Sequence, residues 1–259
     1  MRKRFTKQER RERIIAELLV RPAIRASEVA EKLGVHAETV RRDIKELDRG
    51  GLINRTYGGA AAAPLAFEPS LADRDRILVK ERRRIGVRAA GFIEPGDVIM
   101  VDAGSTTIHF ARQLAGTARD LTVITNSYGV AVVLARVDGV RVIICPGVYD
   151  AKQGGVSGPD TIDYLRRFHA NKALIGAGGL MGDGPSEFDP SFASVKRAMI
   201  ERAQRKLLLI DHSKFGRAML DLVCPLSDLD DIVVDRAPDR SLRRIIEKAG
   251  VSIHIAEEQ

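Results

Sequence analysis

The sequence predicts an α/β protein, with a small amino-terminal winged helix-turn-helix domain ahead of a larger α/β domain built on a mostly parallel sheet. Three observations carry that prediction. The 259 residues exceed the size of one small domain. Residues 1–60 hold 15 Lys+Arg against 9 Asp+Glu while the rest hold 27 against 26, so nearly all of the net charge of +7 sits in the first quarter. Beyond a Pro-bearing stretch of small residues, seven short apolar runs alternate with helical stretches. A composition 44% hydrophobic and 30% charged argues against wholesale disorder. No apolar stretch approaches the ~18 residues that cross a bilayer. The start, Met1-Arg2-Lys3-Arg4, leads into a charged segment without a signal peptide's apolar centre, so a cytoplasmic location is expected. Cys145 and Cys224 form no CxxC pair and are read as buried thiols, supporting neither a disulfide framework nor a zinc site. A basic domain beside a nearly neutral one implies that the first meets a polyanion, nucleic acid ahead of an anionic membrane.

In the first sixty residues, Ile14, Ile15, Leu18 and Leu19 recur at helical spacing over 7–19, and Pro22 stops the run. Val29, Ala30 and Leu33 share one side of a short helix over 27–33, which Gly34 closes. After a tight turn, Val40, Ile44 and Leu47 form a stripe along a third helix over 37–49. At about 100° per residue, Glu38, Arg42, Lys45 and Arg49 point the opposite way, with Thr39 and Arg41 on the flanks. Gly50-Gly51 end this helix, and residues 52–59 predict two short strands around a turn at Asn54, with Arg55 near the tip. A helix of this kind enters the major groove, where Arg and Lys donate to guanine O6 and N7. A solvated basic helix is the competing reading. The short helix, Gly turn, basic helix and glycine-ended ribbon occur together, which favours DNA.

Residues 61–72 are expected to link this domain, residues 1–60, to a second over 73–259. Residues 73–92 are helical in composition. The apolar runs 98–101, 121–125, 140–145, 172–175, 206–210, 231–234 and 252–255 predict strands of a largely parallel sheet, whose ligands bind at strand carboxyl ends. The first such end runs into Asp102-Ala103-Gly104-Ser105-Thr106-Thr107 and then a helix, gathering hydroxyls and N–H groups at a helix amino end. Phosphate suits that place, and a well-capped turn without a ligand suits the same residues equally. Thr125-Asn126-Ser127 ends the next strand, and the two clusters together point to a polyhydroxylated, phosphorylated molecule. Gly176-Ala177-Gly178-Gly179 is no dinucleotide fingerprint, because position 181 is Met and Asp183-Gly184-Pro185 follows instead of a helix. Neither cofactor nor metal is expected, and these glycines are read as letting a loop pass closely. Glu187, Lys196, Asp211 and Lys214 each read as a surface or structural ion pair, with Lys214 best placed to reach an anion.

The run Glu38-Thr39-Val40-Arg41-Arg42-Asp43-Ile44, followed by Gly51-Leu52-Ile53-Asn54-Arg55 and Gly58-Gly59-Ala60, resembles the amino-terminal signature of DeoR-family bacterial transcription regulators. That resemblance implies that Thr39, Arg41, Arg42 and Lys45 face DNA, with Arg55 on the wing. Arg25 and His36 depart from the family pattern by standing where helix caps are usual. His36 is read as a local hydrogen-bonding residue, since no second metal ligand sits nearby. Asp102-Ala103-Gly104-Ser105-Thr106-Thr107, Thr125-Asn126-Ser127, Ile175-Gly176-Ala177, Val195-Lys196-Arg197-Ala198-Met199 and Asp211-His212-Ser213-Lys214-Phe215 resemble, in matching order, the same family's effector-sensing domain. Its fold is similar to that of ribose-5-phosphate isomerase. The resemblance implies Asp102, Gly104, Ser105, Thr106, Thr107, Asn126, Glu187 and Lys214 around a phosphorylated sugar or sugar alcohol. Cys145-Pro146-Gly147-Val148 stands where many relatives carry a Gly-Gly pair, which changes one wall of that pocket. The implied function is an operator-binding regulator, usually a repressor and homo-oligomeric, whose DNA affinity the effector changes. The rival reading is a phosphosugar isomerase with an accessory basic domain. It has Asp102, Glu187, Asp211 and Lys214 as acid/base groups, and spacing alone brings no pair of carboxylates to one carbon. A membrane-surface helix at the start lacks aromatic anchors.

Overall fold

A computed structural model describes residues 5–21, 23–49, 53–61 and 70–257, and its chain divides into two compact units, Met1–Pro69 and Ser70–Gln259. In the first unit, α1 (Lys7–Val20) opens on a capping box. The Thr6 hydroxyl accepts from the Glu9 N–H at 3.2 Å, and the Glu9 carboxylate accepts from the Thr6 N–H at 2.8 Å. There follow β1 (Ala23–Arg25), α2 (Ala26–Leu33), α3 (Ala37–Arg49), β2 (Asn54–Thr56) and β3 (Gly59–Ala61). Gly34 ends α2 in the left-handed region at φ +64°, while Arg25 precedes it with no side-chain cap. Ile14, Leu18, Val29, Val40, Ile44 and Leu47 fill the core between the helices.

The ribbon differs from its expected form. It turns at Tyr57-Gly58, where Gly58 takes φ +83°, so Asn54 begins β2 and Arg55 sits in the middle of that strand instead of at the tip. Residues 23–25, too short to register between two helices, add a third strand in the antiparallel order β1-β3-β2. Gly59 permits that approach, since a Cβ there would collide with the Ile24 carbonyl.

The second unit contains α4 (Leu71–Arg74), α5 (Val79–Ala90), β4 (Val98–Val101), α6 (Ser105–Leu114), β5 (Leu121–Thr125), α7 (Tyr128–Leu134) and β6 (Val140–Ile144). It continues with β7 (Val148–Asp150), β8 (Gly155–Ser157), α8 (Pro159–Arg166), β9 (Ala170–Ile175), β10 (Gly179–Met181), β11 (Gly184–Glu187), α9 (Pro190–Arg202) and β12 (Ala203–Leu209). Last come β13 (Asp221–Leu222), β14 (Asp231–Val234), α10 (Arg240–Lys248) and β15 (Ser252–Ile255). Ala61 closes β3 and Leu71 opens α4, so both described ends of the expected linker belong to folded elements. The helical stretch expected over 73–92 is broken, because Leu78 takes φ +54° between α4 and α5.

The seven apolar runs form one sheet in the order β15-β14-β12-β9-β4-β5-β6, every neighbouring pair parallel. Side chains alternate across it: Ile99 and Val101 join the core under α5, α6 and α7, and Met100 joins the core under α8, α9 and α10. Each such buried side chain contributes about 1.5–3 kcal/mol. From β4 the order proceeds through β5 to β6, and from β9 it proceeds the other way through β12 and β14 to β15. The boundary between β4 and β9 is therefore a topological switch point, where connections leave in opposite directions and where sheets of this kind bind ligands, at the strand carboxyl ends.

Candidate functional site

On the first unit, one side of α3 buries Val40, Ile44 and Leu47, and the other side exposes Glu38, Arg41, Arg42 and Lys45. Thr39 is half-buried between them, and the side chain of Arg49 lies outside the described residues. Asp43 is buried on the core side and accepts from Arg10 Nε at 2.8 Å and Nη2 at 3.3 Å, which ties α3 to α1. Glu38 pairs with Arg41 at 3.3 Å in an exposed arrangement that costs little to open. Arg55 is exposed on β2, and its N–H donates to the Asp48 carboxylate at 2.8 Å, fixing the ribbon against α3. His36 is exposed, and its carbonyl accepts from the Thr39 N–H at 2.9 Å. A cationic face on a helix anchored from behind has the form that major-groove docking requires.

On the second unit, Asp102 follows β4 and Gly176 follows β9, so the two meet at the switch point. Asp102 donates its N–H to the Leu174 carbonyl at 3.0 Å, and its Oδ2 accepts from the Gly176 N–H at 3.2 Å and from the Lys196 ammonium. Lys196, 2% exposed, also stands 3.2 Å from Glu187 Oε2. The other oxygen, Asp102 Oδ1, is buried without a hydrogen-bond partner. Burial pushes the Asp102 carboxyl up, against the pull of Lys196. Burial also acts against the charge on Lys196, but Asp102 and Glu187 outweigh it and hold the ammonium protonated.

Beside Asp102, α6 begins at Ser105 with no side-chain cap, because its N-cap is Gly104. Ser105 and Thr106 are buried there, with the unsatisfied N–H groups of the first helical turn. Two residues expected around an effector spend their polar atoms on the backbone instead. The Thr107 hydroxyl donates to the Gly104 carbonyl at 2.9 Å. The Asn126 side-chain oxygen accepts from the Ala103 N–H at 2.9 Å, and its amide donates to the Val156 carbonyl at 3.0 Å. Asn126 therefore pins the end of β5 to the end of β4 and to β8. Gly155 closes against the same place, since a Cβ there would stand 2.6 Å from Ala103 Cβ. The loop reading of Gly179 is met similarly, a Cβ at that position colliding with the Arg217 carbonyl.

A second buried charge group stands at the end of β12. Asp211 caps the turn His212–Lys214 and accepts from the Ser213 hydroxyl and from Arg82 Nε at 3.0 Å. Burial works to raise its carboxyl, but Arg82 and Lys214 outweigh that and hold it well below the usual carboxylate range. Lys214 itself is buried. Short α4 is fastened to three parts of this region. Leu71 donates its N–H to the Lys152 carbonyl at 2.6 Å, and Arg74 reaches Gln153 Oε1 at 2.6 Å. Asp75 pairs with Arg112 at 2.9 Å and lies 3.2 Å from His109 Nε2, both on α6. Arg82, besides holding Asp211, donates to the Arg74 carbonyl.

Lys196 and Arg82 are the residues that sequence reasoning missed as members of the site. Asp102 lies 94 positions from Lys196 and Asp211 lies 129 from Arg82, while Glu187, nine positions before Lys196, ends a strand ahead of the helix that carries Lys196, so no single period connects them. A cleft of about 420 Å³ lies elsewhere, bounded by Val87, Glu94, Gln113, Arg119 and Leu121 beside the amino end of β5. Among the described residues, no three His, Cys, Asp or Glu side chains gather as a metal would need, and no helix is long and apolar enough to cross a membrane. Burial pushes both Cys145 and Cys224 up to about 12, in keeping with inert buried thiols.

A family model described as the DeoR-like helix-turn-helix domain matches residues 10–64, and one described as the DeoR C terminal sensor domain matches residues 78–236. The chain belongs to the DeoR family. Among its relatives, the glycerol-3-phosphate regulon repressor of Escherichia coli (strain K12) is 31% identical over 93% of this chain and 96% of that protein. The HTH-type transcriptional repressor GlcR of Bacillus subtilis (strain 168) is 31% identical over 91% of each. A solved ribose 5 phosphate isomerase A from Neisseria gonorrhoeae is similar over 52% of each chain, with a TM-score of 0.39 and 15% identity. So loose a likeness speaks to no activity. This DeoR-family chain is a DNA-binding transcriptional regulator with a sensor domain, and the isomerase reading is set aside.

Proposed function

We propose that the protein represses a carbohydrate or polyol catabolic operon and responds to a phosphorylated sugar or sugar alcohol held at the β4/β9 switch point. Arg41, Arg42 and Lys45 of α3 read and grip the operator, with Thr39 and Arg49 on the same helix and Arg55 on the ribbon. The protein acts inside the cell, where the operator lies, and as a homo-oligomer, since one head covers a single half-site. The observation that carries the effector reading is Asp102 Oδ1. It is buried without a partner one residue after β4, beside the uncapped amino end of α6. Leaving such an acceptor unsatisfied costs about 1–3 kcal/mol, and a ligand hydroxyl that donates to it removes that cost. A phosphate takes the N–H groups of the first turn of α6, with Ser105, Thr106 and the Lys214 ammonium around it. Gly104 keeps the approach open, while Glu187 sets Lys196, and Thr107 and Asn126 hold the crevice in shape. Effector binding changes operator affinity only through a coupling free energy, typically about 1–3 kcal/mol or 5- to 150-fold.

The relative that represses a glycerol-3-phosphate regulon makes glycerol 3-phosphate the first compound to try. Thermal shift with glycerol 3-phosphate, pentose phosphates and hexose phosphates, each beside its unphosphorylated counterpart, tests this reading. A saturable rise in Tm with a phosphorylated compound only is expected. No rise with any of them would sink the effector assignment, and a gel shift on the protein's own upstream DNA tests the operator assignment separately.

A further inference from the structure

The two edges of the seven-stranded sheet are finished differently. At one, His254 Nε2 of β15 donates to the Asp231 carboxylate at 2.8 Å, and the ring lies edge-on to Phe92 at 4.9 Å and stands 3.4 Å from Arg88 Nη2. Asp231 also takes the Arg205 guanidinium at 2.6 Å. An edge dressed with charge resists further strand pairing. The other edge is β6, Val140-Arg141-Val142-Ile143-Ile144, and among the described strands only β5 pairs with it. The surface beside β6 is apolar. Tyr128 and Val132, one turn apart on α7, are 58% and 38% exposed, Ile144 is 49% exposed, and Val148 and Tyr149 on β7 are 76% and 53% exposed. The Tyr128 and Tyr149 rings meet edge to face at 6.3 Å, which joins α7 and β7 into one surface.

We propose that this face docks a second copy of the chain about a two-fold axis. An unpaired strand edge is satisfied by its own antiparallel copy, and apolar groups are complementary to themselves, so a two-fold needs no second kind of surface. With ~200 Å² for a whole tyrosine, the exposed parts of these five side chains amount to on the order of 500 Å² per copy. That is the larger share of the roughly 800 Å² each partner contributes to a standard interface, and it has the apolar character of an interface centre. The need for two heads rests on the proposed function; the location of the face does not.

Sedimentation equilibrium of the full chain, without DNA or effector, tests the proposal. A dimer or a multiple of it is expected, with Tyr149→Glu and Val132→Arg each weakening association at least tenfold at an unchanged circular-dichroism spectrum. A monomeric native chain, or a Tyr149→Glu chain that associates as tightly as the native one, overturns it. Should the charged variants unfold, Val148→Cys decides, because Cys145 and Cys224 are buried and a maleimide then reads position 148. Labelling of the assembled protein is expected to be at least tenfold slower than at the fully exposed wing position in Tyr57→Cys, and equal to it after dilution to monomer. Equal rates throughout overturn the proposal, as does slow labelling of a monomer, which would put another part of the same chain on this face. Neither measurement reads effector or operator binding, so failure here is distinguishable from failure of the proposed function.

Discussion

In the DNA-reading unit the cations stand in water on α3, and the fold behind them is held mainly by Val40, Ile44 and Leu47. In the sensor unit Lys196, Arg82, Asp102 and Asp211 are buried, and part of what holds the fold is the charges themselves. The difference decides what a substitution costs. An exposed cation is lost to its partner alone, whereas a buried one leaves an uncompensated charge in the interior.

The largest expected effect is that of Lys196→Met. It strands the Asp102 and Glu187 carboxylates and should lower the sensor's unfolding free energy by ~3–5 kcal/mol in urea titrations. A loss below about 1 kcal/mol would break the contrast between the units. Arg42→Ala should weaken operator binding by ~1–3 kcal/mol, measured by fluorescence anisotropy, and leave stability within about 0.5 kcal/mol. Thr106→Val should weaken binding of the responsive phosphorylated compound by ~0.5–1.5 kcal/mol in calorimetry while operator affinity without effector stays unchanged.

The smallest effect is a pH dependence confined to the sensor. Accepting its proton at 2.7 Å, the Asp235 carboxylate raises the pKa of His212 above 6.5, and partial burial opposes the shift. A raised folded value means that the contribution to stability is complete below pH 6.5 and is lost as pH rises through the folded value. The native protein should therefore lose more stability than His212→Gln between pH 6 and pH 8.5, by under about 1 kcal/mol. Parallel curves for the two proteins would dismiss the pair. Asp211 has the opposite sign: its depressed pKa gives stability present above the ordinary carboxylate value and lost only in strong acid.

The strands were legible because an apolar run bounded by turns is a local signal, and all seven runs entered the sheet. Gly34 and the stripe on α3 were legible for the same reason. The ribbon turn was misplaced by three residues because Asn54 and Gly58 both suit turns, and the pairing of Asn54 with Ala61 on β3 decided between them. The break at Leu78 has no marker, since nothing in a leucine announces a left-handed backbone. At the ends of β4 and β5 the sequence marked the polar clusters but not the partners of individual atoms. Asn126, expected around an effector, braces two backbone segments, while Lys196, read as a surface or structural ion pair, is the structural kind, buried between two carboxylates. In both cases the fold sets a polar side chain's partner: Ala103 lies 23 positions from Asn126, and Asp102 lies 94 from Lys196.

Short α4 is the first described element after the segment joining the two units, and it is fastened to the hairpin turn at Lys152-Gln153, to the flank of α6 and, through Arg82, to the turn that carries Lys214. Two of these elements, α6 and the turn that carries Lys214, belong to the proposed ligand site. On the proposed reading, a ligand that draws these elements together pulls on one four-residue peg, the first described element after the segment that joins the units. The proposed response then needs no long relay through the sheet, because the pull is felt where the described sensor begins.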